Sequence, residues 1–190
     1  MHRRFDSPLV GAALALVLAW AVPASGQVIP GGEWRVATST GSITTSASGT
    51  VLLAGDRLET GTDGQTRISG PGSSQVRLRE DTRLRHPDEH AWEVTSGLAG
   101  FRFDDASDTA PIHVLITPFA RAECRSGLYV VKVASHVVRI AVLRGSADIT
   151  GPGDTRRTLG KKEECAATES ALSSPYTTTD DLYFAWYWDK

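Results

Sequence analysis

From Trp34 onward, short apolar stretches alternate with turn residues every 8–12 positions, and no window before residue 170 carries a helical period. Gln75-Val76-Arg77-Leu78-Arg79 alternates polar and apolar, as a half-buried strand does, and Thr82-Arg83-Leu84-Arg85 continues in that style. Trp34 to Ala37, Gly49 to Leu53, Trp92 to Val94 and Gly100 to Phe103 read as further strands, with Ser96-Gly97 separating the last two. Ile112, Val114 and Ile116 are expected on one face of a strand ending at Pro118. Leu128 to Val133 is nearly all β-formers, and Val138, Ile140 and Val142 share a face from which Arg139 turns away. Gly61-Thr62-Asp63-Gly64 and Gly151-Pro152-Gly153-Asp154 are turns. The pattern predicts an all-β fold: a sandwich, a barrel or a solenoid.

The two ends break this rhythm. At the start, His2, Arg3 and Arg4 precede an apolar run from Leu9 to Val22; Pro23 ends it, and Ala24-Ser25-Gly26 places small residues before Gln27. That is the pattern of an export signal cleaved after residue 26, with an uncleaved anchor as the alternative. The run is shorter than the ~20 residues a bilayer span takes. No cysteine lies near the cleavage point, which argues against a lipid anchor, and no second apolar run follows. The expected address is therefore exported, periplasmic or extracellular. Residues 27–33 form a Gly/Pro leader. At the other end, Thr177-Thr178-Thr179 and Asp180-Asp181 precede Leu182-Tyr183-Phe184-Ala185-Trp186-Tyr187-Trp188. A threonine cap followed by acids signals a helix start, so 169–190 is expected to be a linker and a short aromatic helix, with a strand as the alternative. Trp186, Tyr187 and Trp188 either pack back on the sheet or present an interaction surface for a partner or a sugar.

Charge narrows the function. The chain holds 20 basic and 22 acidic residues; without residues 1–26 the balance moves from −2 to −3. A mildly acidic domain with no basic stripe is a poor nucleic-acid binder. Arginine outnumbers lysine sixteen to four, and with no asparagine there is no N-glycosylation acceptor. Cys124 and Cys165 are the only cysteines. In an oxidising compartment they are candidates for a disulfide closing a loop of about 40 residues, worth ~4 kcal/mol by chain entropy, against a reading as two unpaired thiols.

The order of motifs resembles the FecR domain. Gly55-Asp56-Arg57-Leu58-Glu59-Thr60-Gly61-Thr62-Asp63-Gly64 is similar to that family's opening; Val76 to Leu84 and Ser96 to Phe103 resemble its next two segments. Ile116-Thr117-Pro118-Phe119-Ala120, Gly127-Leu128-Tyr129-Val130-Val131, Val142-Leu143-Arg144-Gly145-Ser146-Ala147-Asp148-Ile149 and Leu159-Gly160 follow in the family's order. The resemblance covers residues 34–168 and implies imperfect strand repeats in a two-layered sandwich or solenoid, and protein interaction rather than catalysis. The chain departs from the pattern at Leu128, where the family has threonine after the glycine. It also lacks the cytoplasmic anti-sigma segment and membrane helix of the iron-transport regulators in the family, so iron sensing is not carried over. The resemblance places Cys124 and Cys165 beside the last motifs, where a bridge forms if both face inward on neighbouring strands.

No catalytic constellation emerges. Gly70-Pro71-Gly72-Ser73-Ser74 is not a nucleophile elbow, and Gly151-Pro152-Gly153 opens no dinucleotide fingerprint. His86-Pro87-Asp88-Glu89-His90 has two histidines four apart, which bind metal when a helix aligns them; with Pro87 between them a solvated turn is expected. Asp104-Asp105-Ala106-Ser107-Asp108 lacks the glycine and distal glutamate of a calcium loop, and His113 and His136 read as structural residues in strands. The expectation is a non-enzymatic module with no cofactor and no metal, binding an unidentified envelope protein; the alternative is a cell-wall or polysaccharide binder that uses the terminal aromatics.

Overall fold

In the computed structural model the described residues are 33–45, 51–104 and 111–178, and nearly all of them lie in or between β-strands. Sixteen strands are assigned among them: β1 Trp34–Thr40, β2 Ile43–Thr45, β3 Val51–Leu52, β4 Arg57–Thr60, β5 Gln65–Ser69, β6 Gln75–Leu78, β7 Arg83–Asp88, β8 Ala91–Phe103, β9 His113–Ile116, β10 Arg121–Cys124, β11 Gly127–Ala134, β12 Val137–Arg144, β13 Ala147–Thr150, β14 Arg156–Leu159, β15 Glu163–Ala167 and β16 Tyr176–Thr177. The one helical turn among the described residues is 3-10, Pro152–Asp154. The expected signal segment and the aromatic tail from Thr179 lie outside the described residues.

The strands pair into two sheets that share β8. The first runs β3-β1-β5-β6-β8-β11-β12-β15-β16, and the second β2-β4-β7-β8-β9-β10-β13-β14. Ala91–Ser96 of β8 pairs in the second sheet and Gly97–Phe103 in the first, so all sixteen strands form one folded, open sheet. β8 and β9 are parallel; every other pair is antiparallel.

The two layers face each other across one core. Ile68, Val76, Leu78, Phe101, Phe103, Tyr129, Ile140 and Val142 come from the first sheet; Leu58, Leu84, Trp92, Leu115, Ala122, Ile149 and Leu159 come from the second. Aromatic rings bridge the layers. Trp34 of the first sheet meets Trp92 of the second edge-on at 4.8 Å between centroids, and Phe103 stacks on His113 at 3.8 Å. The alternation seen in the sequence is this burial pattern, with alternate residues of β4, β5, β6 and the first half of β12 pointing inward.

Two stretches of the chain follow the same path between the sheets. β4 lies in the second sheet, β5 and β6 in the first, and β7 in the second; β10, β11, β12 and β13 repeat that path. The glycine-rich sequence motifs mark the crossings. Between β4 and β5, Ser42 Oγ donates to Asp63 Oδ1 at 2.6 Å, and Gly61 N–H donates to Ser42 O at 2.8 Å. Between β12 and β13, Gly145 takes φ +90°, open to glycine, while Tyr129 OH donates to Ser146 O at 3.0 Å.

Two strand expectations need correction, and a third gains its direction. Ser96-Gly97 does not end a strand: Gly97, at φ +86°, bends one continuous β8 from one sheet into the other. Val114 and Ile116 do share a face of β9, but it is the outer one: His113 and Leu115 point inward, while Val114 and Ile116 are only partly buried and Ile112 is 44% exposed. Stacking on Phe103 and pairing of Leu115 with Trp92 set that parity. His136 lies in the exposed turn between β11 and β12, not in a strand.

Candidate functional site: the basic groove on the outer face of the first sheet

Strands β5 and β6 send Thr66, Ile68, Val76 and Leu78 into the interior, so their other residues line the outer face. The register sets Arg67 directly opposite Arg77, with Ser69 opposite Gln75. Arg79 follows Leu78 on the same outer parity and donates its N–H to Leu98 O at 3.0 Å. On the far side β1 contributes Thr38, Ser39 and Thr40, paired with Arg67, Thr66 and Gln65. Together these residues line a shallow groove of about 270 Å3.

The groove is cationic and polar. Its three arginines sit in half-buried positions, and Arg67 Nε is buried with no hydrogen-bond partner. The register sets two like charges directly opposite each other on this face. Glu80 lies at the rim, 4.0 Å from Arg79 and accepting a 2.8 Å hydrogen bond from Gln65 Nε2. That pairing helps hold its carboxyl below the usual range, after the backbone hydrogen bond that dominates the shift. Three planar guanidinium groups around a trough suit carboxylate-bearing ligands, which they bind through paired N–H donors.

The residues singled out from sequence are placed elsewhere. His86 is not in a solvated turn: it is 4% exposed on β7, stacks on Trp92 at 4.2 Å, and its Nδ1 lies 3.1 Å from Ala91 O. Since a carbonyl only accepts, that nitrogen carries the proton. His90 sits in the following turn, edge-on to His113 at 5.5 Å, so the two histidines do not share a metal-binding face. Among the described residues no three His, Cys, Asp or Glu side chains gather as a metal site. Glu89, His90 and His113 do line a small cleft of about 190 Å3 with Trp34, an opening at one end of the sandwich.

Cys124 and Cys165 are both buried free thiols. Each faces the core, but Cys124 is on β10 in the second sheet and Cys165 on β15 in the first, so they are not on neighbouring strands. Burial pushes the Cys165 thiol up to about 11 and drives Cys124 higher still. Neither is a poised nucleophile. Trp186, Tyr187 and Trp188 lie outside the described residues, as do most of the Asp104–Asp108 run. The groove was not singled out from sequence. Its signal was the alternation of Arg77 and Arg79 with Val76 and Leu78, but only the β5–β6 register adds Arg67.

A family model described as FecR protein matches residues 56–148. The fold is similar to two crystal structures, at 1.65 and 2.50 Å resolution, of a candidate anti-sigma factor from Parabacteroides distasonis ATCC 8503. Both align with a TM-score of 0.56, at 16% and 17% identity, over 68% of this chain. This chain spans 63% of the length of theirs, and at that identity the likeness is one of fold. No curated protein matches the chain.

Proposed function

From the premise that residues 56–148 belong to the FecR family, we propose that this protein is a non-enzymatic, extracytoplasmic interaction module with a regulatory role in an envelope complex. Its partner is a protein that presents an acidic segment to the basic groove. The observation that carries this reading is the convergence of Arg67, Arg77 and Arg79 on one trough in the outer face of the first sheet. The family is regulatory and works through contacts with other proteins, and the apolar leader supports export. No helix among the described residues is long and apolar enough to cross a membrane.

The test uses the full chain as bait in the envelope fraction of its own cell, with the Arg67→Glu, Arg77→Glu double variant beside it. One dominant protein should be retained by the unaltered chain, released as salt rises, and lost at least tenfold with the double variant, since each desolvated charge pair is worth ~2 kcal/mol or more. Arg121→Glu, on β10 in the other sheet, should retain it. Equal capture by the groove variant, or recovery of wall glycan with no protein, would falsify the reading.

A further inference from the structure

Part of the first sheet's outer face is dry although it looks away from the second sheet. Gly100, Val130, Ala141 and Glu164 are successive cross-strand partners on β8, β11, β12 and β15. Their parity is opposite to that of Phe101, Tyr129, Ile140 and Cys165, which fill the core. Yet Val130, Ala141 and Glu164 are all 0% exposed and Leu143 is 8% exposed. Val130, Ala141 and Leu143 form a second apolar cluster, with Leu98 and Leu128 packed against it. A row of side chains facing only water keeps some accessible surface, so this row is covered.

We infer that the aromatic segment Leu182–Trp188 of this chain is the cover. The described chain arrives at the patch from its edge: β16 pairs with β15, Tyr176 lies opposite Glu164, and Tyr176 hydrogen-bonds with Glu164 and Arg139. Thr178 N–H donates to Lys162 O at 2.9 Å, which fixes the exit at this sheet edge. Val130 lies three strand spacings away, about 15 Å. The eight residues from Thr178 to Trp186 reach about 27 Å when extended. The chemistry matches as well. Leu182, Tyr183, Phe184, Trp186 and Trp188 suit the apolar centre, and Asp180, Asp181 and Asp189 suit a rim that carries Lys132 and Arg139, the latter also paired with Glu164 at 2.7 Å. The N-terminal apolar run is a poorer fit, because it is preceded by Arg3 and Arg4, of the same sign as the rim. This inference does not rest on the groove, which lies over β1, β5 and β6 rather than β8, β11 and β12.

The full chain labelled with 5-fluorotryptophan gives a fluorine signal for each tryptophan, assigned by single Trp→Phe changes. Trp186 and Trp188 should resist broadening by a soluble gadolinium chelate nearly as well as Trp34 and Trp92, which are 3% and 0% exposed. Leu128→Asp puts a charge in the patch without entering the core; it should raise broadening at Trp186 and Trp188 several-fold while Trp34 and Trp92 keep their shifts. Broadening of the tail signals to the level of free fluorotryptophan in the unaltered chain overturns the inference. So does protection that survives Leu128→Asp, because the tail is then buried elsewhere. If Leu128→Asp disperses the Trp34 and Trp92 signals by unfolding, the Asp180→Lys, Asp181→Lys variant replaces it. That variant should loosen the tail several-fold, and unchanged protection again overturns the inference.

Discussion

His86 shows how a single buried ring ties stability to pH. Burial lowers its pKa from the ordinary 6.5, and the hydrogen bond to Ala91 O, with the carboxylates of Asp88, Asp56 and Glu89, offsets only part of that cost. The folded state therefore holds His86 neutral, while the unfolded chain protonates it near 6.5. Between the folded and unfolded values the unfolded state binds more protons, so stability is complete above about pH 6.5 and declines as pH falls below it. Denaturant midpoints taken at pH 7.5 and pH 5.5 should show this loss, and His86→Phe, which keeps the stack on Trp92, should flatten the dependence. An unchanged slope in that variant would place the titration elsewhere. The cysteines belong to the same scale. With both thiols free and buried, an aromatic disulfide reagent should find no reactive thiol in the native protein and two after denaturation. A denatured chain with none would mean that the pair is bridged.

At the scale of elements, the bend in β8 is held by a short chain of hydroxyl contacts. Thr82, fully buried, accepts a hydrogen bond from Leu98 N–H at 3.0 Å, and Thr60 Oγ1 accepts one from Thr82 N–H at 2.9 Å while donating to Arg79 O. A Cβ on Gly97 would run into Thr82, and φ +86° strains any other residue. Gly97→Ala should cost about 2–4 kcal/mol, and Thr82→Val, which orphans Leu98 N–H, about 1–3 kcal/mol. Chemical denaturation of both variants measures this; a cost below 1 kcal/mol for Gly97→Ala would mean that the bend is not fixed there. These threonines and glycines were legible in the sequence as motif positions, but not as a bend, because Ser96-Gly97 reads equally well as a hairpin turn. The parity of β9 was hidden for a related reason. Ile112 to Ile116 is apolar at four of five positions, so alternation cannot choose a face, and the stack of His113 on Phe103 decides it. Strand β6 and the first half of β12 were legible, because arginine alternates with aliphatic side chains there, whereas Ala141 to Leu143 are buried on both faces. The groove was half legible: Arg77 and Arg79 mark a solvent face, but which strand supplies Arg67 depends on a register that sequence spacing does not encode.

For the whole molecule, the shared strand argues against independent halves. β8 contributes Trp92 and Val94 to one layer and Phe101 and Phe103 to the other, and the chain passes repeatedly between layers. Trp92 makes the coupling concrete. Its ring touches Trp34 from the first sheet, stacks on His86 from the second, and tilts against Phe101 beyond the bend. Neither sheet can lose its partner and keep its inward row dry, so the described domain should unfold as one unit. Trp92→Ala should cost about 3–5 kcal/mol, and the loss should appear equally in amide exchange at β4 and β7 of the second sheet and at β11 and β12 of the first. The exchange experiment is decisive because local opening and global unfolding separate by region. If β11 and β12 keep their protection while β4 and β7 lose theirs, the sheets are separate cooperative units, and β8 is a linker rather than a common spine.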